Sequence, residues 1–290
     1  MSKFLDVIDG RKRWLIWEGD ALAGLRLFPA DSIGAVITDP PYSTGGMMRG
    51  DRTTSTNEKY SKAVDQVQAD FSGDNRDQRS FEYWCALWLG AAREAAKPGA
   101  PIVQFTDWRQ LPSTTDAIQA GGWVWRGLGV WSKGDACRPQ MGRFRNGAEY
   151  FVWGTNGPSL DLESVGCLPG VMECYAPPTS ERLHLTQKPE RIMEWVCSIA
   201  PPNSLIVDPF CGSGTTGIAA LRKGHRFIGF ELSAHYAATA RDRLAAEERG
   251  LTLQAARSGQ SSIFDAIAGK KPRTTPCVHC SEWPCECDLA

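Results

Sequence analysis

The sequence has no excess of charge of either sign: 32 Lys and Arg stand against 33 Asp and Glu, a formal net charge of −1. A chain that grips nucleic acid over its whole surface is basic throughout, so any such contact here must come from a local patch. Long apolar runs are also missing. No uninterrupted stretch is long enough to span a bilayer, and Met1-Ser2-Lys3-Phe4-Leu5-Asp6 has no apolar signal core. These absences predict a cytoplasmic protein with no membrane contact, whose ten cysteines stay reduced. At 290 residues the chain can hold one large α/β domain with elaborations, or two smaller domains.

A further absence concerns phosphate. Ser204-Leu205-Ile206-Val207 reads as a strand, followed by Asp208-Pro209-Phe210-Cys211-Gly212-Ser213-Gly214-Thr215-Thr216 and a helix. This glycine turn has no lysine of the kind a triphosphate-binding loop needs. It also lacks the third glycine of a dinucleotide fingerprint. What it keeps is a close backbone approach for a ligand. An acid, Glu231, stands at the end of the next strand, Arg226-Phe227-Ile228-Gly229-Phe230, where it can meet ribose hydroxyls. The pair suits a nucleoside without a phosphate chain.

Much else is present. Ala35-Val36-Ile37-Thr38 reads as a buried parallel strand, and Asp39-Pro40-Pro41-Tyr42 ends it, because the prolines cannot donate to a sheet ladder. A carboxylate, a carbonyl and a ring then stand at a strand's carboxyl end, where open α/β sheets bind ligands. Two acceptors and a stacking face suit a flat ring with an exocyclic amino group. A plain proline turn is the simpler alternative. Asp20 ends another strand, Trp14-Leu15-Ile16-Trp17, and by itself reads best as a helix cap.

Residues 43–80 are polar and rich in Gly, Ser, Thr and Asn, which predicts a mobile, substrate-gripping loop or simple disorder. Phe81, Trp84, Cys85, Trp88, Ala92 and Ala95 fall at helical spacing behind Ser80 as cap. Residues 123–131 and 149–153 read as an antiparallel pair at a sheet edge. Between them Lys133, Arg138, Arg143 and Arg145 form the most basic patch, which reads either as a solvated loop or, near an acceptor site for a nucleobase, as a phosphate contact. Residues 154–182 read as loop. At the end of the chain Cys277, Cys280, Cys285 and Cys287 are packed closely. The two-residue gap of the first pair is that of a zinc knuckle, although the second pair is tighter than usual. A structural zinc site and a disordered reduced tail are both open readings.

Asp39-Pro40-Pro41-Tyr42, then His184-Leu185-Thr186-Gln187-Lys188-Pro189, then Asp208-Pro209-Phe210-Cys211-Gly212-Ser213-Gly214-Thr215, resembles the site-specific DNA amino-methyltransferases. The order, with the tetrapeptide ahead of the cofactor loop, resembles their β group. The resemblance runs from about residue 14 to residue 249. It implies an α/β, Rossmann-like S-adenosylmethionine-dependent methyltransferase fold with a mixed seven-stranded sheet in circularly permuted order. Asp39, Pro40, Pro41 and Tyr42 become the catalytic residues. S-adenosylmethionine is implied at Phe210, Gly212 and Gly214, with Asp208 near its methionine part, Glu231 on its ribose and Asp20 on its adenine. Thr186, Gln187 and Lys188 are implied near its carboxylate end.

The expected partner is double-stranded DNA, and a homodimer is compatible with the sequence. Residues 1–250 form the expected methyltransferase domain, with residues 132–186 as a DNA-contacting insert and 251–290 as a tail. Within the family an Asp at the head of the tetrapeptide is commoner for adenine-N6, and a Ser for cytosine-N4. A cytosine-C5 enzyme would need a Pro-Cys nucleophile on the core. Pro276-Cys277 and Pro284-Cys285 lie in the tail. A non-catalytic DNA-binding module would have no need of both the acceptor tetrapeptide and the cofactor turn.

Overall fold

The computed structural model describes residues 2–43, 76–134, 137, 141–142, 144–159, 162–175, 188–251 and 253. The chain divides into two units, Met1–Leu244 and Ala245–Ala290, and the carboxyl ends of the strands Ala35–Thr38 and Leu205–Asp208 lie in the first. The first half runs α1 (Ser2–Ile8), β1 (Trp14–Glu18), α2 (Ala21–Leu25), β2 (Ala35–Thr38), α3 (Gln78–Ala95), β3 (Pro101–Thr106), α4 (Leu111–Ala120) and β4 (Val124–Ser132). It continues with β5 (Ala148–Thr155), α5 (Leu162–Val165), β6 (Val171–Glu173), α6 (Glu190–Cys197), β7 (Leu205–Asp208), α7 (Thr215–Arg222), β8 (Arg226–Glu231) and α8 (Ala234–Glu248).

The strands make one sheet in the order β1-β8-β7-β2-β3-β5-β4-β6. The first five in that order are mutually parallel. β5 lies antiparallel to β3 and to β4. Helices cover both faces, so the central strands are buried on both sides and read as continuous apolar runs. The side chains still alternate between the faces. Val36, Ile102, Val207 and Ile228 join the core with α1 to α4. Ala35, Ile37, Val103, Ile206 and Phe227 join the core with α6, α7 and α8.

The decisive pairing is β2 with β7, through Ala35↔Ile206 and Val36↔Val207. Their parallel register brings the carboxyl ends of two strands far apart in sequence to one edge of the sheet. Asp39 leaves one and the glycine turn leaves the other.

Several expectations shift. The sheet has eight strands rather than seven, because β6 pairs with β4 through Val130↔Val171 in a stretch that reads as loop. The antiparallel pair β4–β5 is therefore flanked by β6 and does not form the sheet edge. α5 lies in the same stretch. α1 was not expected either; it buries Phe4 and Val7. α3 is capped by Asp77, whose side chain accepts from the Ser80 N–H, and Ser80 itself is helical. Among the described residues no helix is long and apolar enough to cross a membrane.

Candidate active site

Asp39 follows β2 and is 22% exposed. Both its carboxylate oxygens are occupied. Oδ1 accepts from the Tyr42 hydroxyl, and Oδ2 accepts from Lys188 Nζ at 2.5 Å. Lys188 also donates to the Tyr42 oxygen at 2.9 Å, and its Nζ lies 5.1 Å from the Tyr42 ring centre and 5.3 Å from that of Phe105. Glu149, near the start of β5, places Oε2 3.2 Å from Lys188 Nζ, while its Oε1 is paired with Lys133. Asp39, Lys188, Glu149 and Lys133 thus form a chain of alternating charge.

Burial and pairing oppose each other along this chain. Burial raises the Asp39 carboxyl above its ordinary value, and the neighbouring Lys188 pulls it back only in part. At Lys188 burial would lower the ammonium, but Asp39 and Glu149 outweigh it and the net shift is upward. At Glu149 burial would raise the carboxyl, but Lys188 and Lys133 outweigh it and the net shift is downward. Burial lifts the Tyr42 phenol well above its usual value, so it stays protonated and donates to Asp39.

The glycine turn lies next door. Asp208, at the end of β7, accepts from Thr38 Oγ1 at 2.7 Å and from Thr216 Oγ1 at 2.6 Å. It also accepts from the Phe210 N–H at 3.0 Å. It therefore ties the last residue of β2 to the start of α7, and burial pushes its carboxyl up to about 6. Gly212 and Gly214 have φ of +51° and +86°, a conformation that side chains disfavour. A Cβ on Gly212 would enter open space, whereas one on Gly214 would lie 2.9 Å from Leu244 Cδ1. The first glycine leaves room for a ligand and the second for the packing of α8. Arg243 of α8 braces the turn, donating to the Ser213 carbonyl at 2.9 Å and to Glu190 at 2.8 Å.

Glu231 accepts from the Gly212 N–H at 3.0 Å and the Ser233 N–H at 2.8 Å, and burial raises its carboxyl. Each oxygen keeps a lone pair for hydroxyl donors. Phe210 packs on Trp84 and Trp88 of α3, with ring centres 5.1 Å and 5.3 Å away. The open face at Gly212, the half-satisfied acid and the aromatic wall fit the nucleoside part of S-adenosylmethionine.

The remaining expected residues are placed as follows. Asp20 is the N-cap of α2, its Oδ1 accepting from the Ala23 N–H at 2.8 Å. Lys188, expected beside the cofactor, is bonded to Asp39 and Tyr42. Lys133 is engaged with Glu149, and Arg145 is exposed. Arg138, Arg143, Thr186, Gln187 and the four tail cysteines Cys277, Cys280, Cys285 and Cys287 lie outside the described residues, as does most of 43–80. Among the described residues no group of His, Cys, Asp or Glu is placed to hold a metal. Thr38, Thr216 and Glu149 were missed. A Glu at the head of an aromatic strand carries no local sign of a site, and nothing in its spacing announces a partner 39 residues away. A cavity of about 470 Å³ lies at the opposite, amino end of the parallel strands, against Gly34, Pro101 and Ser204, and is not part of this site.

Residues 168–242 match the family model described as DNA methylase. The Escherichia coli K12 protein YubD, named as a methylase, is 28% identical over 240 residues, 82% of this chain and 93% of that protein. The type II methyltransferase M.HinfI of Haemophilus influenzae is 25% identical over 257 residues, 79% of this chain and 67% of its own length. Among solved structures, the M1.HpyAVI–SAM complex aligns with a TM-score of 0.58 at 24% identity, over 80% of this chain and 98% of that one. The cytosine-N4-specific PvuII DNA methyltransferase aligns with a TM-score of 0.58 at 19% identity, over 79% and 86%. The fold is thus the Rossmann-like fold of the S-adenosylmethionine-dependent methyltransferases. The resemblance read from the motif order is borne out: the chain is similar to DNA amino-methyltransferases, N6 or N4.

Proposed function

We propose that this protein transfers a methyl group from S-adenosylmethionine to the exocyclic amino group of a base flipped out of double-stranded DNA, with adenine-N6 as the target. The observation that carries this reading is the β2–β7 pairing locked by Thr38 and Asp208, which sets Asp39 beside the open glycine turn. Gly212, Gly214, Phe210 and Glu231 would hold the cofactor. When bound, it supplies a methyl group on a cationic sulfur, which departs as a neutral thioether as an amino lone pair takes the methyl carbon.

The chain's part is positioning and charge placement. An exocyclic amino group is a poor nucleophile because its lone pair is delocalised into the ring. Asp39 and the Pro40 carbonyl, accepting its two N–H bonds, would hold that pair toward the cofactor. The amino nitrogen gains a carbon and must lose one proton, and the Asp39 carboxylate is the acceptor already bonded to it. The atom is unreachable inside a duplex, so the base must leave the stack, and Tyr42 would cover its face. Arg145, with Arg138 and Arg143, would grip phosphate.

Asp39 at the head of the tetrapeptide favours adenine, because in the family this position is more often Asp for adenine and Ser for cytosine. Cytosine-N4 is the alternative, since the same two acceptors suit either amino group. Methylation of duplex DNA with tritiated S-adenosylmethionine, followed by digestion to nucleosides, tests the reading. Label in N6-methyladenine supports it, and label in N4-methylcytosine selects the alternative. Label at cytosine C5, or none, contradicts it.

A further inference from the structure

In the protein alone the acceptor meant for the target amino group is already taken. Tyr42 fills Asp39 Oδ1, and the Lys188 ammonium fills Oδ2 at 2.5 Å. An ammonium and an exocyclic amino group are both N–H donors, so Lys188 stands where the base must bond. Were it to stay, its charge would cancel the negative charge that opposes the positive charge growing on the attacking nitrogen. The ammonium also cannot simply retreat to water, because Lys188 is only 6% exposed.

A second carboxylate waits beside it. Glu149 Oε2 lies 3.2 Å from Lys188 Nζ, is shut off from solvent, and makes no hydrogen bond despite that proximity. Its other oxygen is anchored by Lys133. Glu149 sits on β5, in register with Trp131 of β4, and the next residue, Tyr150, pairs with Thr106 of β3. Its backbone is held by β4, and that of the next residue by β3 as well. The contact with Lys188 is an ion pair without an established hydrogen bond, and a small shift of the ammonium would complete it.

Building on the methyl-transfer reading, we propose that Glu149 is a positioning residue for the reaction: it takes the Lys188 ammonium off Asp39 as the target amino group docks, and Lys188 holds that group's place until then. No proton changes hands in the exchange. Lys188 keeps its three and trades one acceptor for another. The buried cation remains neutralised throughout, which spares the cost of leaving it unpaired. Asp39 regains its full charge only when the base has arrived.

The test is single-turnover methylation of mixed-sequence genomic DNA at pH 8, with cofactor affinity measured separately by calorimetry. Wild-type protein must first put label on an exocyclic amino group; failure there overturns the methyl-transfer reading, not the role of Glu149 within it. Glu149→Gln is expected to slow the transfer step by about tenfold to a hundredfold, the range of coupling within one ion-pair network, with cofactor affinity unchanged. Lys188→Gln serves as the background for the next comparison, whatever its own rate, because it removes the ammonium that Glu149 receives. Adding Glu149→Gln to Lys188→Gln is expected to cost nothing more.

A Glu149→Gln protein as fast as wild type overturns the proposal. So do losses that multiply in the double variant. Should Glu149→Gln fail to fold, Glu149→Asp keeps the charge but draws it back from Nζ. An intermediate loss that disappears in the Lys188→Gln background supports the proposal, and a loss that persists there overturns it.

Discussion

At Asp39 the chemistry rests on one carboxylate, and its removal should show as a loss of rate rather than of cofactor binding. Asp39→Ala is expected to lower methyl transfer by at least ~10²–10³-fold, the usual cost of deleting a preorganised charge-stabilising group. Calorimetry should find S-adenosylmethionine affinity largely retained, because Gly212, Phe210 and Glu231 are untouched. Substantial residual turnover would remove Asp39 from the mechanism. Tyr42→Ala should cost less, roughly 1–3 kcal/mol for the absent stacking face. Asp208 makes a different prediction. Its carboxyl is raised from 3.8 to about 6 by burial, so the native state binds the extra proton between those values. Stability linked to it is complete below pH 4 and is lost as pH rises through 6. Unfolding free energies followed over that window should fall in wild type relative to Asp208→Asn, by roughly 3 kcal/mol for about two pKa units. Parallel curves for the two proteins would mean that Asp208 is not held as described.

Between β7 and α7, two glycines of like conformation should fail differently when replaced. Gly214→Ala puts a Cβ 2.9 Å from Leu244 Cδ1 and 3.0 Å from Ala240 Cβ, and should lower stability by about 1–3 kcal/mol through overpacking, beyond its backbone strain. Gly212→Ala meets nothing within 4 Å, so its stability cost should be limited to about 1–2 kcal/mol of left-handed strain, while cofactor affinity falls sharply. Thermal unfolding and cofactor titration separate the two; equal effects on both would deny the open face at Gly212. These elements were legible in the sequence for physical reasons. β2, β7 and β8 are buried on both faces and leave short apolar runs, and the turn advertises itself by glycine and a following acid. β6 was not legible, because Val171 and Glu173 are exposed at the rim of the sheet and carry no periodicity. The Glu149–Lys188 pair was not legible either, since an ion pair across elements leaves no mark in local spacing.

Taken whole, the molecule is nearly neutral, so DNA affinity must be concentrated at few positions. Arg145→Ala should weaken binding and lower the slope of log K against log salt by about 1, as expected when one phosphate fewer is neutralised. An unchanged slope would return the patch to the role of a solvated loop. The motifs indicate the class of chemistry, but the apposition of Asp39 and the glycine turn is a property of the parallel β2–β7 register, which only the folded chain displays. The most direct measurement is mass spectrometry of nucleosides from unmethylated duplex DNA incubated with S-adenosylmethionine and either wild-type protein or Asp39→Ala. Amino-methyl transfer dependent on Asp39 predicts N6-methyladenine with wild type and none with the variant. Methyl groups at cytosine C5, or equal methylation by both proteins, would contradict it.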